Sequence, residues 1–157
     1  MHEPPRRRSP RLKEFDYARG WYFVTICTDK RREILGKVVG GDAHIAPHTE
    51  LSAYGCIADE YIRRIPGIDT YVIMPNHVHM LISVSRDDGA PRSSRPTGLV
   101  SRMIAALKRF SNRDAGQKLW QTSFYDHIIR DDADYAARYN YILDNPRRWA
   151  EDEYFIP

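Results

Sequence analysis

Two apolar runs separated by Pro75-Asn76 dominate the middle of the chain. Tyr71-Val72-Ile73-Met74 leads into this turn and His77-Val78-His79-Met80-Leu81-Ile82 leaves it, which predicts strands over 71–75 and 77–84. Side chains alternate across a strand, so Val78, Met80 and Ile82 point one way while His77 and His79 point the other. One face can bury itself while the opposite face presents two imidazoles.

The same reading extends outward. Trp21-Tyr22-Phe23-Val24-Thr25-Ile26-Cys27 is aromatic and β-branched on both faces, the pattern of a central strand. Thr28 to Arg32 is a polar loop, and residues 34–39, ended by Gly40-Gly41, are expected to pair with 42–45 as a short hairpin. Leu51, Tyr54, Ile57, Ala58, Tyr61 and Ile62 recur at helical spacing, predicting a helix over 49–64 that stops before Pro66-Gly67. After a polar, Pro/Ser-rich loop over 86–97, Thr97 caps a helix whose stripe is Leu99, Val100, Met103, Ile104, Leu107 and Phe110. A strand follows over 124–130, with Tyr125, His127 and Ile129 on one face. A last helix opens on Asp131, Asp132 and Asp134 and ends near Asn145, because Pro146 cannot continue it. Helices interleaved with antiparallel strands in this order give an α+β fold with helices mainly on one side of a sheet.

Composition narrows the class. The chain has 157 residues and a net charge of +3, a length suited to one domain with a sizeable core. Arg6, Arg7, Arg8, Arg11 and Lys13 stand against Glu3 alone, so residues 1–13 carry about +4 and the rest about −1. A basic, proline-containing arm over 1–15 on a nearly neutral body over 16–157 fits an anionic partner such as nucleic acid, or simply a solvated tail. Cys27 and Cys56 have no metal-like spacing and form no disulfide framework. No signal peptide or membrane-crossing run is present, so a reducing cytoplasm is expected and no membrane partner.

Candidate chemistry concentrates at two places. His77 and His79 can supply two nitrogens to a divalent metal but do not complete its shell, and an isolated His-x-His is also compatible with an ordinary strand. Tyr141 and Asn145 are four residues apart, hence on one helix face. A phenol, with its pKa of about 10, is a weak nucleophile unless the electrophile is polarised. Asn145 offers an oxygen toward the same metal. Tyr135, Tyr139 and Tyr141 could equally be packing residues, and Arg102, Lys108 and Arg109 form either a solvated basic stripe or phosphate contacts.

Three separated motifs carry a resemblance more specific than His-x-His alone. Tyr-Val-Ile-Met-Pro-Asn-His-Val-His at 71–79, Trp-Gln-x-x-Phe-Tyr-Asp-His-Ile-Ile-Arg at 120–130 and Tyr-Ile-x-x-Asn-Pro at 141–146 resemble the single-tyrosine HUH transposases, specifically the REP-associated tyrosine transposases. Arg-Leu at 11–12, Tyr-Phe-Val-Thr-Ile-Cys-Thr at 22–28 and Asn-Pro-x-x-Trp at 145–149 extend the likeness over nearly the whole chain. The resemblance implies a ferredoxin-like domain that cuts single-stranded, hairpin-bearing DNA. His77, His79 and Asn145 would hold Mg²⁺ or Mn²⁺, and Tyr141 would attack phosphorus to give a 5′-phosphotyrosine and a free 3′-hydroxyl. Arg6, Arg7, Arg8, Arg11, Arg102, Lys108 and Arg109 are the expected backbone contacts. His127 is read as support for the site, a phosphate contact or a buried strand histidine. The location implied is the cytoplasm, in association with the nucleoid, and relatives occur as monomers and dimers.

Two departures from the family are visible. Thr122 stands where many relatives carry a basic residue, and the 86–97 loop is longer than usual. A non-catalytic nucleic-acid-binding module of the same fold would have no need of His77, His79 and Tyr141 together. A histidine-triad hydrolase would require a third histidine where Leu81 stands.

Overall fold

The structure is a computed structural model that describes residues 19–85 and 96–155. Its elements are β1 (Arg19–Cys27), β2 (Gly36–Val39), β3 (His48–Leu51), α1 (Ala53–Arg63), β4 (Ile68–Met74), β5 (His77–Ser85), α2 (Pro96–Ala115), β6 (Tyr125–Ile128) and α3 (Asp132–Asp144). A 3₁₀ turn over Pro146–Glu151 follows α3. Strands β4, β5, β1 and β6 lie side by side in that order, every neighbouring pair antiparallel. Apart from the β2–β3 hairpin and the closing α3 with its 3₁₀ turn, the succession is β-α-β-β-α-β, the ferredoxin-like arrangement.

Alternation along the two central strands assigns the faces. Tyr22, Val24 and Ile26 of β1 and Val78, Met80 and Ile82 of β5 pack with Ala58 and Ile62 of α1 and Val100, Ile104 and Leu107 of α2. Phe23 and Leu81 lie on the opposite face, where they pack with Ile129 and with Tyr135 and Ile142 of α3. Two of the three helices thus cover one face, as expected, and α3 alone covers the other. Each fully buried aliphatic chain contributes about 1.5–3 kcal/mol, enough to fix the strand register because a one-residue slip would turn every such chain outward. The Tyr135 hydroxyl, hydrogen-bonded to Asp69, ties α3 to β4.

Two local expectations are corrected. The partner of 36–39 is His48–Leu51 rather than 42–45. Asp42 Oδ1 accepts from the amides of His44 and Ile45 at 2.8 and 3.0 Å, and Gly40 and Gly41 have positive φ, so 40–47 is the hairpin connection itself. The first helix begins at Ala53, not Thr49, because the Ser52 side chain accepts from the Gly55 amide at 3.1 Å and caps it there.

Trp120, whose motif belongs to the sequence resemblance, is a core residue. Its indole donates to Ser111 Oγ at 2.8 Å, and Thr28 bridges to it beside the sheet. The arm over 1–15 and the loop over 86–95 lie outside the described residues, and with them Arg6, Arg7, Arg8 and Arg11. Among the described residues, no helix is long and apolar enough to cross a membrane.

Candidate active site

Strand β5 places His77 and His79 on the α3 face of the sheet, with ring centroids 4.6 Å apart. Their register partners on β1 are Cys27 and Thr25. Thr25 Oγ1 lies 2.7 Å from His79 Nδ1. His77 Nδ1 lies 2.9 Å from Asn76 Oδ1. The Asn76 amino group is committed to the carbonyls of Tyr154 and Arg31, at 2.7 and 3.4 Å, which leaves its oxygen facing His77. His77 therefore donates from Nδ1 and carries its lone pair on Nε2.

Both Nε2 atoms are buried without a hydrogen-bond partner, and so is Asn145 Oδ1. An unpaired buried polar atom costs about 1–3 kcal/mol, so three in one place call for a ligand. Burial pushes the His77 pKa down to about 3; the adjacent Asn145 amide raises it and Arg31 lowers it. Asn145 approaches His77 without forming an aligned hydrogen bond, since both atoms are left unsatisfied. Burial, then the neighbouring His77 and Arg138, hold His79 well below its ordinary value. Neutral imidazoles with free lone pairs are metal ligands, not cations.

A fourth group joins them from beyond the last helix. Asp152 follows the 3₁₀ turn, and its Oδ2 lies 3.8 Å from His77 Nε2. One ligand atom each of His77, His79 and Asp152 fall within 4.8 Å of one another. The Asp152 Oδ1 accepts from the Tyr154 amide at 2.8 Å, and burial raises the carboxyl's pKa. Sequence reasoning missed Asp152: it sits in an acidic run, Glu151-Asp152-Glu153, where no spacing singles it out. The Tyr154 ring, 4.4 Å from His77, closes the site on that side. Two imidazole nitrogens, an amide oxygen and a carboxylate oxygen, all acceptors, fit a divalent cation.

Helix α3 brings Tyr141 to the rim. Asn145 caps the helix C-terminus, so the side chain four residues earlier lies on the same face one turn away. The Tyr141 ring packs 5.1 Å from His79 and 6.0 Å from Phe23, and the residue is 37% exposed. Burial raises its phenol pKa and Asn145 draws it back; Asp152 and Glu153 raise it, and Arg138 lowers it. Tyr139 packs against Tyr135 instead, and the exposed Tyr125 stands across the cavity on β6.

The remaining candidates lie elsewhere. His127 Nε2 is 2.7 Å from Asp134 Oδ2, a hydrogen bond on the β6–α3 seam. Arg102 and Arg109 are exposed on α2, across the sheet from the histidines. Lys108 is no free cation: its Nζ donates to the carbonyls of Gln121, Thr122 and Ser123 at 2.7, 3.3 and 2.9 Å.

No protein-family model matches the chain. An uncharacterised Haemophilus influenzae protein is 29% identical over 174 aligned positions, spanning 96% of this chain and 93% of its own. A second Haemophilus influenzae protein, assigned as a REP-associated tyrosine transposase, is 32% identical over 141 positions, covering 83% of this chain and 73% of that protein. The REP-associated tyrosine transposase of Escherichia coli K12 matches at 28% over 79 positions, half of this chain and 43% of that one. Among solved structures, a REP-associated tyrosine transposase bound to a REP hairpin superimposes with a TM-score of 0.61 at 17% identity, over 92% of this chain and 76% of that one, which shows a shared fold. Because a relative of that assignment is 32% identical over 83% of this chain and 73% of its own length, the chain belongs to the REP-associated tyrosine transposase family.

Proposed function

We propose that this protein is a metal-dependent endonuclease and strand transferase for single-stranded, hairpin-bearing DNA, with Tyr141 as its nucleophile. The observation that carries the reading is the convergence of His77 Nε2, His79 Nε2 and Asn145 Oδ1, all buried and unpaired, beside Tyr141. His77, His79, Asn145 and Asp152 would hold Mg²⁺ or Mn²⁺, the imidazoles favouring Mn²⁺. Such an ion, when bound, supplies Lewis acidity toward a phosphoryl oxygen.

The chain's own groups supply the rest. Thr25 and Asn76 hold the two imidazole rings at their Nδ1 atoms, so that each ring turns its Nε2 toward the ligand. The Tyr141 oxygen attacks phosphorus as the phenol loses its proton. The bond from phosphorus to the 3′ oxygen breaks, and that oxygen takes up a proton. A 5′-phosphotyrosine and a 3′-hydroxyl result, and reversal of the same step rejoins DNA without an external energy source. Glu153 and Tyr154 narrow the cavity in which attack would occur, about 400 Å³ in volume. The hairpin substrate class is inferred from the relative whose solved structure holds a REP hairpin. Arg102 and Arg109, with Arg6, Arg7, Arg8 and Arg11 of the arm, are proposed backbone contacts.

The test is incubation with labelled hairpin-bearing single strands and Mn²⁺, resolved on a denaturing gel. A covalent protein–DNA band that disappears in Tyr141→Phe and in His77→Ala is the expected result. Cleavage surviving Tyr141→Phe would move the nucleophile to another tyrosine or to water, and binding without cleavage would leave only a DNA-binding module.

A further inference from the structure

Arg138 stands three residues before Tyr141 on α3, and it is absent from every motif that identified the site. Its guanidinium carbon sits 5.0 Å over the Phe23 ring. That same ring stacks on His79 at 5.2 Å and meets the Tyr141 ring at 6.0 Å. Phe23 is thus a common platform for His79, for the proposed nucleophile Tyr141 and for a cation. Arg138 lines the cavity that also exposes Tyr141, and its side chain is 32% exposed.

Its donors divide in two. Nε faces Asp134 Oδ1 at 3.5 Å. Among the described residues, none accepts a hydrogen bond from its two terminal amino groups. Asp134 is itself held from the other side: Oδ2 is bonded to His127 Nε2 at 2.7 Å and to the Arg130 amide at 3.4 Å. Burial works against the Asp134 charge, yet His127, the Arg130 amide and Arg138 together hold its carboxyl below the ordinary carboxylate value. The result is an anchored guanidinium whose free edge faces a cavity. Planar paired donors of this kind match the oxygens of a phosphate. Glu153 lines the same cavity, so an entering phosphate meets one carboxylate that only a nearby cation can offset.

We infer that Arg138 binds the non-bridging oxygens of the scissile phosphate beside Tyr141, and that His127 and Asp134 are positioning residues that aim it. The inference rests on the phosphoryl-transfer reading above. A guanidinium in contact with developing phosphoryl charge accelerates the step most where the negative charge is greatest. A merely structural arginine, packed on Phe23, would act regardless of the charge on the linkage.

The experiment is single-turnover adduct formation with Mn²⁺ on two hairpin-bearing strands, one with a natural phosphodiester and one with a methylphosphonate at the scissile position. On the natural linkage, Arg138→Ala should slow the step ~100-fold or more and Arg138→Lys by roughly tenfold. On the uncharged linkage, the ratio of wild type to Arg138→Ala should collapse toward one. His127→Gln should slow the wild-type chain several-fold but leave Arg138→Ala unchanged. Affinity of the Tyr141→Phe form for the same strand should change less than about threefold when Arg138 is also replaced, since the contact forms mainly in the transition state. An equal loss on both linkages, or an unchanged rate, overturns this assignment alone. Absence of any adduct from the wild-type chain overturns the phosphoryl-transfer reading and this one with it.

Discussion

Asn76 Oδ1 accepts the Nδ1 proton of His77 across 2.9 Å while the Asn76 amino group holds the main-chain oxygen of Tyr154 at 2.7 Å. One buried amide therefore sets the tautomer of a candidate ligand and pins the tail that carries Asp152. Asn76→Ala would strand two carbonyls and one ring nitrogen. The expected cost is about 1–3 kcal/mol in folding free energy, with a 10–100-fold loss in Mn²⁺ affinity. Urea unfolding and calorimetric titration with Mn²⁺ measure the two effects. Unchanged affinity would mean that His77 needs no orienting partner.

The unpaired acceptors predict stabilisation by metal. Mn²⁺ at 100 times its dissociation constant should add about 2.7 kcal/mol to the wild-type chain. His77→Ala, His79→Ala and Asp152→Asn should each lose most of that gain. A thermal-shift series with and without chelator reads it. Equal shifts in wild type and in His79→Ala would place the ion elsewhere.

Acid should destabilise the metal-free protein. The unfolded chain protonates its histidines near pH 6.5, whereas folded His77 does so only near 3. Between those values the unfolded state binds more protons, so stability falls as pH drops through the window, by up to about 1.4 kcal/mol per pH unit for each such histidine. Asp152, whose carboxyl pKa is raised in the fold, takes up its proton first in the folded state and partly offsets this at the acid end. Urea midpoints at pH 7, 6 and 5 are expected to decrease in that order. A flat profile would contradict buried, neutral imidazoles.

Lys108 and Arg102 should separate cleanly. Lys108 binds three carbonyls, so Lys108→Met is expected to cost about 1–3 kcal/mol of stability. Arg102 is exposed on α2. Arg102→Ala should leave stability within about 0.5 kcal/mol and reduce the salt slope of DNA binding by about one. Fluorescence anisotropy across a salt series distinguishes them. A salt slope unaltered by Arg102→Ala would remove α2 from the DNA path.

How far the chain could be read in advance follows from the range of each signal. Periodicity is local, and it determined the two faces of β5, the amphipathic α2, and the common face of Tyr141 and Asn145, because side-chain direction follows from backbone repeat alone. Resemblance in three motifs added the ferredoxin-like fold, and the strand order β4-β5-β1-β6 came from the tertiary structure. What only the tertiary structure decided lies where partners are far apart in sequence. The β3 strand reads as the start of a helix until Ser52 caps that helix and 48–51 finds 36–39. Lys108 reads as a surface cation until the 121–123 carbonyls close on it. Asp152 has no periodic or motif signature, and the seat of Arg138 on Phe23 has none, because those partners come from β5 and β1, more than sixty residues away in sequence. Hydrogen bonds and ion pairs of that kind depend on packing across the sheet, which no local pattern of apolar and polar positions encodes.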